Sequence, residues 1–273
     1  MKMLLVFTLM AALTAGCKTS HRGQPLAHER ATIQLMRMPF KLGDTNLYAL
    51  VFQHGEPSPT YLNVHDDENT SVAAGKTVVE QTSGRLIELS HSGKRHVRFS
   101  VSGERFGVDP NRIFSDAGIR ATLEHQGHYS EAAHQAVKRF ATQYLERFAL
   151  EREPVIIALH NTVDGAYSIE SYRPGAEHGA ATAELHLSPN RSRFDFFYVT
   201  DRRFFDFIKA RDYNVILQDN QKVPDDGSLS VHFGKQGIPY LNIEAEMGHL
   251  NAQIDMVRLA REMVEEFGLV KAK

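Results

Sequence analysis

The sequence has a single cysteine among its 273 residues, and this scarcity excludes two kinds of architecture. One thiol cannot form a disulfide framework, and it cannot supply a cysteine-rich zinc site. A bound metal would therefore be held by His, Asp and Glu side chains, and the chain contains 14 histidines.

The sequence also lacks a large excess of positive or negative residues, and its formal net charge is −2. A nucleic-acid-binding protein would carry a basic surface, so this class is disfavoured and no nucleic-acid partner is expected. Apolar residues make up 42% and charged residues 23% of the chain. These fractions are ordinary for a globular protein and exclude a disordered, collagen-like or coiled-coil chain. The length suffices for one large α/β domain with a sizeable core.

No apolar run is long enough to span a bilayer, which takes about 20 residues. The run 4–13 is shorter and follows Lys2, a pattern typical of a secretory signal peptide over residues 1–16. The next residue is Cys17, and the stretch Leu-Thr-Ala-Gly-Cys resembles the lipobox of bacterial lipoproteins. This resemblance implies lipidation of Cys17 and a membrane anchor. The alternative is a secreted protein in which Cys17 is incidental.

Residues 18 to about 40 are polar and poor in hydrophobic pattern, and residues 17–44 are predicted to tether the anchor to a domain over residues 45–273. By resemblance to known sorting rules, Lys18 after the cysteine indicates the periplasmic face of the outer membrane. We therefore expect a protein of the bacterial cell envelope.

Strand-like and helix-like stretches alternate from about residue 45. Strands are predicted over 46–53, 60–65, 85–90, 95–102, 154–160, 194–200, 214–218 and 237–246. Helices are predicted over 67–84, 130–148, 201–211 and 251–268, and a long polar loop over 161–192. This alternation predicts a single α/β domain with a mixed, mostly parallel central sheet flanked by helices.

Polar side chains cluster where the predicted strands end, which is where α/β sheets bind ligands. The second strand ends near His65 and Glu68, the central strand ends at His160, and the last strand carries Glu244 and Glu246. Imidazole and carboxylate groups are normal zinc ligands, and a catalytic site uses three of them and leaves one position for water. The spacing therefore makes His65, Glu68 and His160 candidate ligands, although a chance His-x-x-Glu pair is common in a histidine-rich chain.

The segment 107–112, Gly-Val-Asp-Pro-Asn-Arg, adds a second motif. In order along the chain stand His-x-x-Glu, Asp-x-Asn-Arg, a single His at a strand end, and a Glu on a late strand. This ordered set resembles the funnelin family of zinc carboxypeptidases over roughly residues 45–265. The resemblance implies a zinc carboxypeptidase-like fold and one zinc ion.

The resemblance also implies roles for individual residues. His65, Glu68 and His160 correspond to the zinc ligands. Asn111 and Arg112 correspond to the pair that binds the terminal carboxylate of the substrate, and a guanidinium group suits a carboxylate because it can donate two parallel hydrogen bonds.

Glu244 corresponds to the general base, with Glu246 as the alternative. Arg95 corresponds to the arginine that polarises the scissile carbonyl, with Arg98 as the alternative. Leu229 stands at the position of the specificity pocket and implies an apolar pocket.

One departure from the family concerns the mobile tyrosine of its digestive members. The corresponding loop here, residues 218–226, contains no tyrosine. Tyr167 and Tyr172 are candidates to replace it.

The expected function is that of a zinc metallocarboxypeptidase that removes a C-terminal residue from a peptide with a free carboxylate. Peptidoglycan stem peptides are one candidate substrate for an envelope protein. One alternative is an N-acyl amino acid deacylase resembling succinylglutamate desuccinylase and aspartoacylase, which share the metal motif. Another alternative is a non-catalytic, lipid-anchored envelope protein.

Overall fold

Strands and helices alternate along most of the protein, whose computed structural model describes residues 32–163 and 167–270. The strands of this part are β1 (Gln34–Leu42), β2 (Thr45–His54), β3 (Thr60–Asn63), β4 (Gly84–Ser90), β5 (Val97–Val101), β6 (Glu104–Val108), β7 (Ile156–Thr162), β8 (Thr182–His186), β9 (Phe196–Val199), β10 (Val215–Gln218) and β11 (Tyr240–Glu246). The helices are α1 (Asn69–Gln81), α2 (Asp116–His125), α3 (Glu131–Arg147), α4 (Arg202–Lys209), α5 (Leu229–Lys235) and α6 (Leu250–Glu266).

Nine of the strands in the described residues form one sheet, in the order β1-β2-β4-β3-β7-β11-β9-β10-β8. Its centre is the parallel run β4-β3-β7-β11. Six of the nine strands point the same way, and β2, β9 and β10 run in the opposite direction. The predicted fold class, a single α/β domain with a mixed, mostly parallel sheet flanked by helices, is confirmed.

The central strand β7 explains how the two faces of the sheet are covered. All seven of its residues are buried, and residues 156–159 form the continuous apolar run expected of a strand between two layers. Because side chains alternate along a strand, Ile156 and Ala158 pack into the core beneath α2 and α3. Ile157 and Leu159 pack into the core beneath α1, α4 and α6. The same alternation turns His160 towards the α2 and α3 side.

Helix α3 begins where its sequence predicts, after Ser130, whose hydroxyl accepts a hydrogen bond from the backbone N–H of Ala133 and caps the helix. Two shorter helices, α2 and α5, were not expected. Each is capped in the same way, by Ser115 and by Ser228.

Two predicted features of the sheet need correction. Residues 34–42, predicted as part of a tether, form β1 and pair with β2 along its length, so the domain begins before residue 45. Residues 85–90 and 95–102, whose alternation and intervening Ser-Gly turn predict a strand pair, do not pair with each other. The second segment forms β5, which makes a separate hairpin with β6, while β4 joins the main sheet between β2 and β3.

The predicted signal segment 1–16 and the lipidation site Cys17 lie outside the described residues, as do residues 18–31 of the predicted tether. Among the helices of the described part, none has the length and apolar character needed to cross a membrane.

Candidate metal centre

A tight corner between β3 and α1 carries two of the three predicted ligands. The backbone N–H of Glu68 donates to the carbonyl of His65 at 3.2 Å, which brings both side chains to one side of the turn. Ser71, in the first turn of α1, fixes this corner because its hydroxyl donates to the carbonyl of Glu68 at 2.8 Å. The Ser71 backbone N–H donates to the Asn161 side chain at 2.8 Å, which ties the corner to β7.

The third predicted ligand, His160, lies near the end of β7, the neighbour of β3 in the sheet. Its backbone carbonyl accepts a hydrogen bond from the Gln253 side chain of α6 at 2.8 Å. Gln253 also accepts a hydrogen bond from Asn161. Buried hydrogen bonds with α6, through Gln253, and with α1, through Ser71, therefore hold the strand end that carries His160.

The three side chains converge on one point. The Nδ1 atom of His65 lies 2.8 Å from one carboxylate oxygen of Glu68, and the Nδ1 atom of His160 lies 2.9 Å from the other. The two Nδ1 atoms are 3.1 Å apart. His65, Glu68 and His160 are 0%, 2% and 3% exposed. Among the described residues they are the one group of His, Cys, Asp and Glu side chains with the geometry to hold a metal ion.

Asp109 determines which nitrogen of His65 faces this point. The Nε2 atom of His65 donates to the Asp109 carboxylate at 2.8 Å. In the neutral imidazole the lone pair is therefore on Nδ1, directed at Glu68 and His160. The sequence by itself indicates only that Asp109 and Pro110 begin a turn. Asp109 does cap that turn, since the same oxygen accepts from the Asn111 backbone N–H at 2.8 Å.

The electrostatics of the cluster favour a bound cation. Burial opposes a charged His65, yet the neighbouring carboxylates of Glu68 and Asp109 raise its pKa to about 9. Burial likewise opposes a charged Glu68, but His65 and His160 hold the pKa of this carboxyl well below its usual range. Burial lowers the pKa of His160. A positive charge is thus stabilised between these groups, and two imidazoles with one carboxylate are a normal donor set for Zn²⁺.

Arg95 and Arg98, the two candidates for the carbonyl-polarising arginine, lie in different places. One guanidinium nitrogen of Arg95 donates to Glu68 at 2.8 Å, and another lies 3.5 Å from Asp109. The Arg95 side chain is 43% exposed and lines the cavity in front of the cluster. Arg98 instead donates to the backbone carbonyl and the side chain of Gln126 at the end of α2, and it does not line the cavity. The geometry favours Arg95.

Glu244 faces the cluster across the strand pair, because it stands opposite His160 in the parallel register of β11 and β7. It is 6% exposed and lines the cavity. Burial and the charge of Glu68 raise the pKa of Glu244 to about 8, although Asn242 donates a hydrogen bond to its carboxylate at 3.2 Å. The alternative base, Glu246, lies at the strand end with its carboxylate 3.3 Å from His249, and it does not line the cavity.

Asn111 and Arg112 line the same cavity. The Asn111 side-chain oxygen accepts the backbone N–H of Leu229 at 3.1 Å, so this amide is anchored to the start of α5. Arg112 donates to the backbone carbonyl of Asn111 at 2.9 Å, and its Nε lies 3.6 Å from the carboxylate of Asp226. The Arg112 side chain is 39% exposed.

Leu229 does not form the predicted apolar specificity pocket. Its side chain is fully buried in the core with Phe233 and Tyr240, and it is not among the residues that line the cavity. The neighbouring residues Ser228 and Ser230 line the cavity instead. The first turn of α5 therefore turns Leu229 inwards and presents hydroxyl groups to the ligand space.

The cavity has a volume of about 910 Å³, and the cluster lies at its wall. Tyr167 and Tyr172, the candidates to replace the missing tyrosine of segment 218–226, both line it, and their hydroxyls are hydrogen-bonded to each other. Tyr198 lines it as well, which the sequence did not indicate. Burial raises the pKa of all three hydroxyls.

A comparison with protein-family models found no match, and a comparison with curated proteins found none either. A comparison with solved structures found matches at low sequence identity. The structure of thrombin activatable fibrinolysis inhibitor matches with a TM-score of 0.49 and 11% identity, over 87% of this chain and 69% of that chain.

Two further structures come from bacteria. An aspartoacylase family protein from Mesorhizobium loti matches with a TM-score of 0.43 and 14% identity, over 90% of this chain and 70% of that one. The murein-tripeptide amidase MpaA from Escherichia coli O157 matches with a TM-score of 0.42 and 10% identity, over 83% and 91% of the two chains. At these values the activities of those proteins are not transferred to this chain, and we infer its function from the site.

Proposed function

We propose that this protein is a zinc-dependent hydrolase that cleaves an amide bond next to a free carboxylate, most simply a metallocarboxypeptidase that removes one C-terminal residue. The observation that carries the proposal is the convergence of two imidazole Nδ1 atoms and one carboxylate beside a second buried carboxylate, Glu244, in a cavity that also contains Arg112. Membrane anchoring at Cys17 and a location in the cell envelope are part of the proposal, and they rest on the sequence alone.

His65, Glu68 and His160 would hold the zinc ion. When bound, zinc lowers the pKa of a coordinated water from about 15.7 towards 7 and polarises a carbonyl oxygen. The Asp109 carboxylate keeps the Nδ1 lone pair of His65 directed at the metal position by accepting a hydrogen bond from the Nε2–H group.

Glu244 is the residue placed to move protons. Its carboxylate accepts a proton from the attacking water and then donates it to the nitrogen of the leaving group. A base must be ionised, and the raised pKa of Glu244 falls when a cation lies beside it. Metal binding at the cluster therefore favours the active form of this base.

Arg112 and Asn111 orient the substrate. The guanidinium group of Arg112 donates to the terminal carboxylate, which places the preceding amide bond at a fixed distance from the cluster. Arg95, which lines the cavity and donates to Glu68, also donates to the carbonyl oxygen as negative charge develops there. Removing one such donor typically costs about 3–4 kcal/mol of transition-state stabilisation.

N-acyl amino acids contain the same amide bond and free carboxylate, so the same anchor would accept them. The 910 Å³ cavity has room for a peptide as well as for an N-acyl amino acid. For an envelope protein, peptidoglycan stem peptides are the accessible peptides that we propose to test first.

The test is a metal analysis of the purified protein followed by digestion of muropeptides, a peptide library and N-acyl amino acids, read by mass spectrometry. We expect about one zinc per chain, loss of a single C-terminal residue, and abolition of cleavage by a chelator that added zinc reverses. Cleavage restricted to N-acyl amino acids would replace the peptidase assignment by a deacylase. A zinc-free protein without turnover would favour the non-catalytic envelope protein.

A further inference from the structure

The carboxylate anchor of the cavity has an acidic neighbour that the carboxypeptidase chemistry does not use. Asp226 lines the cavity, and its side chain is 44% exposed. One of its oxygens accepts the backbone N–H of Ser228 at 2.9 Å, which fixes the carboxylate at the start of α5. The other oxygen lies 3.6 Å from Nε of Arg112. A fixed negative charge thus stands next to the group that would bind the substrate carboxylate.

This arrangement disfavours a substrate that presents only a carboxylate. When Arg112 binds the terminal carboxylate, Asp226 and that carboxylate are like charges that share one guanidinium group. A cation supplied by the substrate would neutralise Asp226 and remove the repulsion. Five carboxylates and two guanidinium groups line the cavity among the described residues, so the formal charge of the lining stays negative even with one zinc ion at the cluster. These are Asp67, Glu68, Glu177, Asp226 and Glu244, with Arg95 and Arg112.

The surroundings of Asp226 also suit a cation. The rings of Tyr172 and Tyr198 line the cavity with their centroids 5.2 Å apart, and aromatic rings attract ammonium and guanidinium groups. The pKa of the Tyr198 hydroxyl is raised by burial, by Tyr172 and then by Asp226, so the carboxylate acts on this ring across the cavity. Asn242 adds an acceptor, because its side-chain oxygen is buried and has no hydrogen-bond partner among the described residues.

We propose that Asp226 is a specificity determinant and that the residue released from the substrate carries a cationic side chain. Arg112 binds its carboxylate, while Asp226 and the rings of Tyr172 and Tyr198 bind its ammonium or guanidinium group. This inference rests on the proposed carboxypeptidase function, and it replaces the apolar pocket that Leu229 suggested.

The experiment compares three peptides that differ only in the last residue: lysine, its neutral isostere norleucine, and glutamate. Each is made with an L- and a D-configured terminal residue, and kcat/KM is measured with the zinc-loaded, full-length protein. We expect lysine to exceed norleucine by about tenfold, the size of one ion pair that the bound substrate shields from water, and glutamate to be the poorest.

Two variants test whether Asp226 causes the preference for lysine. Asp226→Asn should bring the lysine-to-norleucine ratio close to one. Asp225→Asn is the matched control, because Asp225 accepts from Ser115 and pairs with Lys235 outside the cavity, and it should keep the ratio of the unmodified protein. Peptide hydrolysis without a lysine preference, or a preference that Asp226→Asn leaves intact, would overturn the inference while the proposed function stands.

A binding measurement distinguishes failure of the cation-site inference from failure of the proposed peptidase function. Calorimetry with the zinc-loaded Glu244→Gln variant uses the lysine and norleucine peptides as probes and needs no turnover. Tighter binding of the lysine peptide that Asp226→Asn abolishes, with no hydrolysis by the unmodified protein, would support the cation site and reject the peptidase. Equal binding of both peptides, or no binding of either, would reject the cation site.

Discussion

The two ends of the cavity are built differently. At the metal end, the side chains of His65, Glu68 and His160 are at most 4% exposed. At the anchor end, the side chains of Arg112 and Asp226 are 39% and 44% exposed. The buried end tolerates little variation, because charged groups out of contact with water need partners of opposite charge. The open end keeps its charges hydrated until a ligand covers them, so it is suited to selecting substrates.

The largest effect expected within this comparison is that of Glu244→Gln at the buried end. The variant keeps the shape of the side chain and loses the proton acceptor, so we expect zinc content to be unchanged and kcat to fall by about 10²–10⁴-fold. Zinc analysis and steady-state kinetics on one preparation measure both. Unchanged turnover would remove Glu244 from the mechanism, and Glu246→Gln is the control that should retain activity.

Asp109→Asn tests whether the buried end depends on the orientation of His65. The amide is neutral and a weaker partner for the Nε2 proton, so we expect zinc affinity to fall by about 10–100-fold. Competition with a chromogenic chelator gives the affinity. An affinity equal to that of the unmodified protein would mean that Asp109 serves only as the cap of its turn.

Arg112→Ala tests the open end. Peptides with a free carboxylate should show KM values raised by roughly tenfold or more, because the group that binds the carboxylate is lost. The same peptides with an amidated terminus, which are poor substrates to begin with, should change little. Equal losses on both sets would argue against recognition of the carboxylate by Arg112.

The smallest expected effect is the pH dependence of the stability of the metal-free protein. The pKa of His65 is raised to about 9, so the stability that its charged form contributes is fully present below about pH 6.5 and is lost as the pH rises towards 9. The pKa of Glu244 is raised to about 8, so the stability that its protonated form contributes is likewise lost as the pH rises towards 8. We expect Tm after chelation to fall between pH 6.5 and 9. With zinc bound the decline should shrink, and a decline of the same size would contradict the electrostatic account.

The sequence predicted the metal end better than the anchor end. His-x-x-Glu spans one corner, so its spacing alone brings His65 and Glu68 to the same side of a turn. His160 follows a continuous apolar run, which places it near the carboxyl edge of the sheet. These are short-range or strongly patterned features. The hydrogen bond from His65 to Asp109 is not of this kind, because it depends on how the β5–β6 hairpin packs against the sheet.

The errors have a common cause. Leu229 was assigned to the pocket by its position in the chain, but rotation by one residue about a helix axis is about 100°, so the packing of α5 decides which residue of its first turn faces the cavity. β1 was assigned to a tether because its pattern is weak. Most of its residues are exposed, and only the pairing with β2 shows that it belongs to the sheet.

By itself, the sequence determined the fold class, the types of ligand available and their order along the chain, since these follow from the alternation of apolar runs and from local spacing. Only the tertiary structure shows that Arg95 and Glu244 line the cavity while Arg98 and Glu246 do not, and only it brings Asp226 beside Arg112. These features depend on the direction of a side chain and on contacts between residues far apart in sequence. Strand register and helix packing set both, and no local sequence pattern contains them.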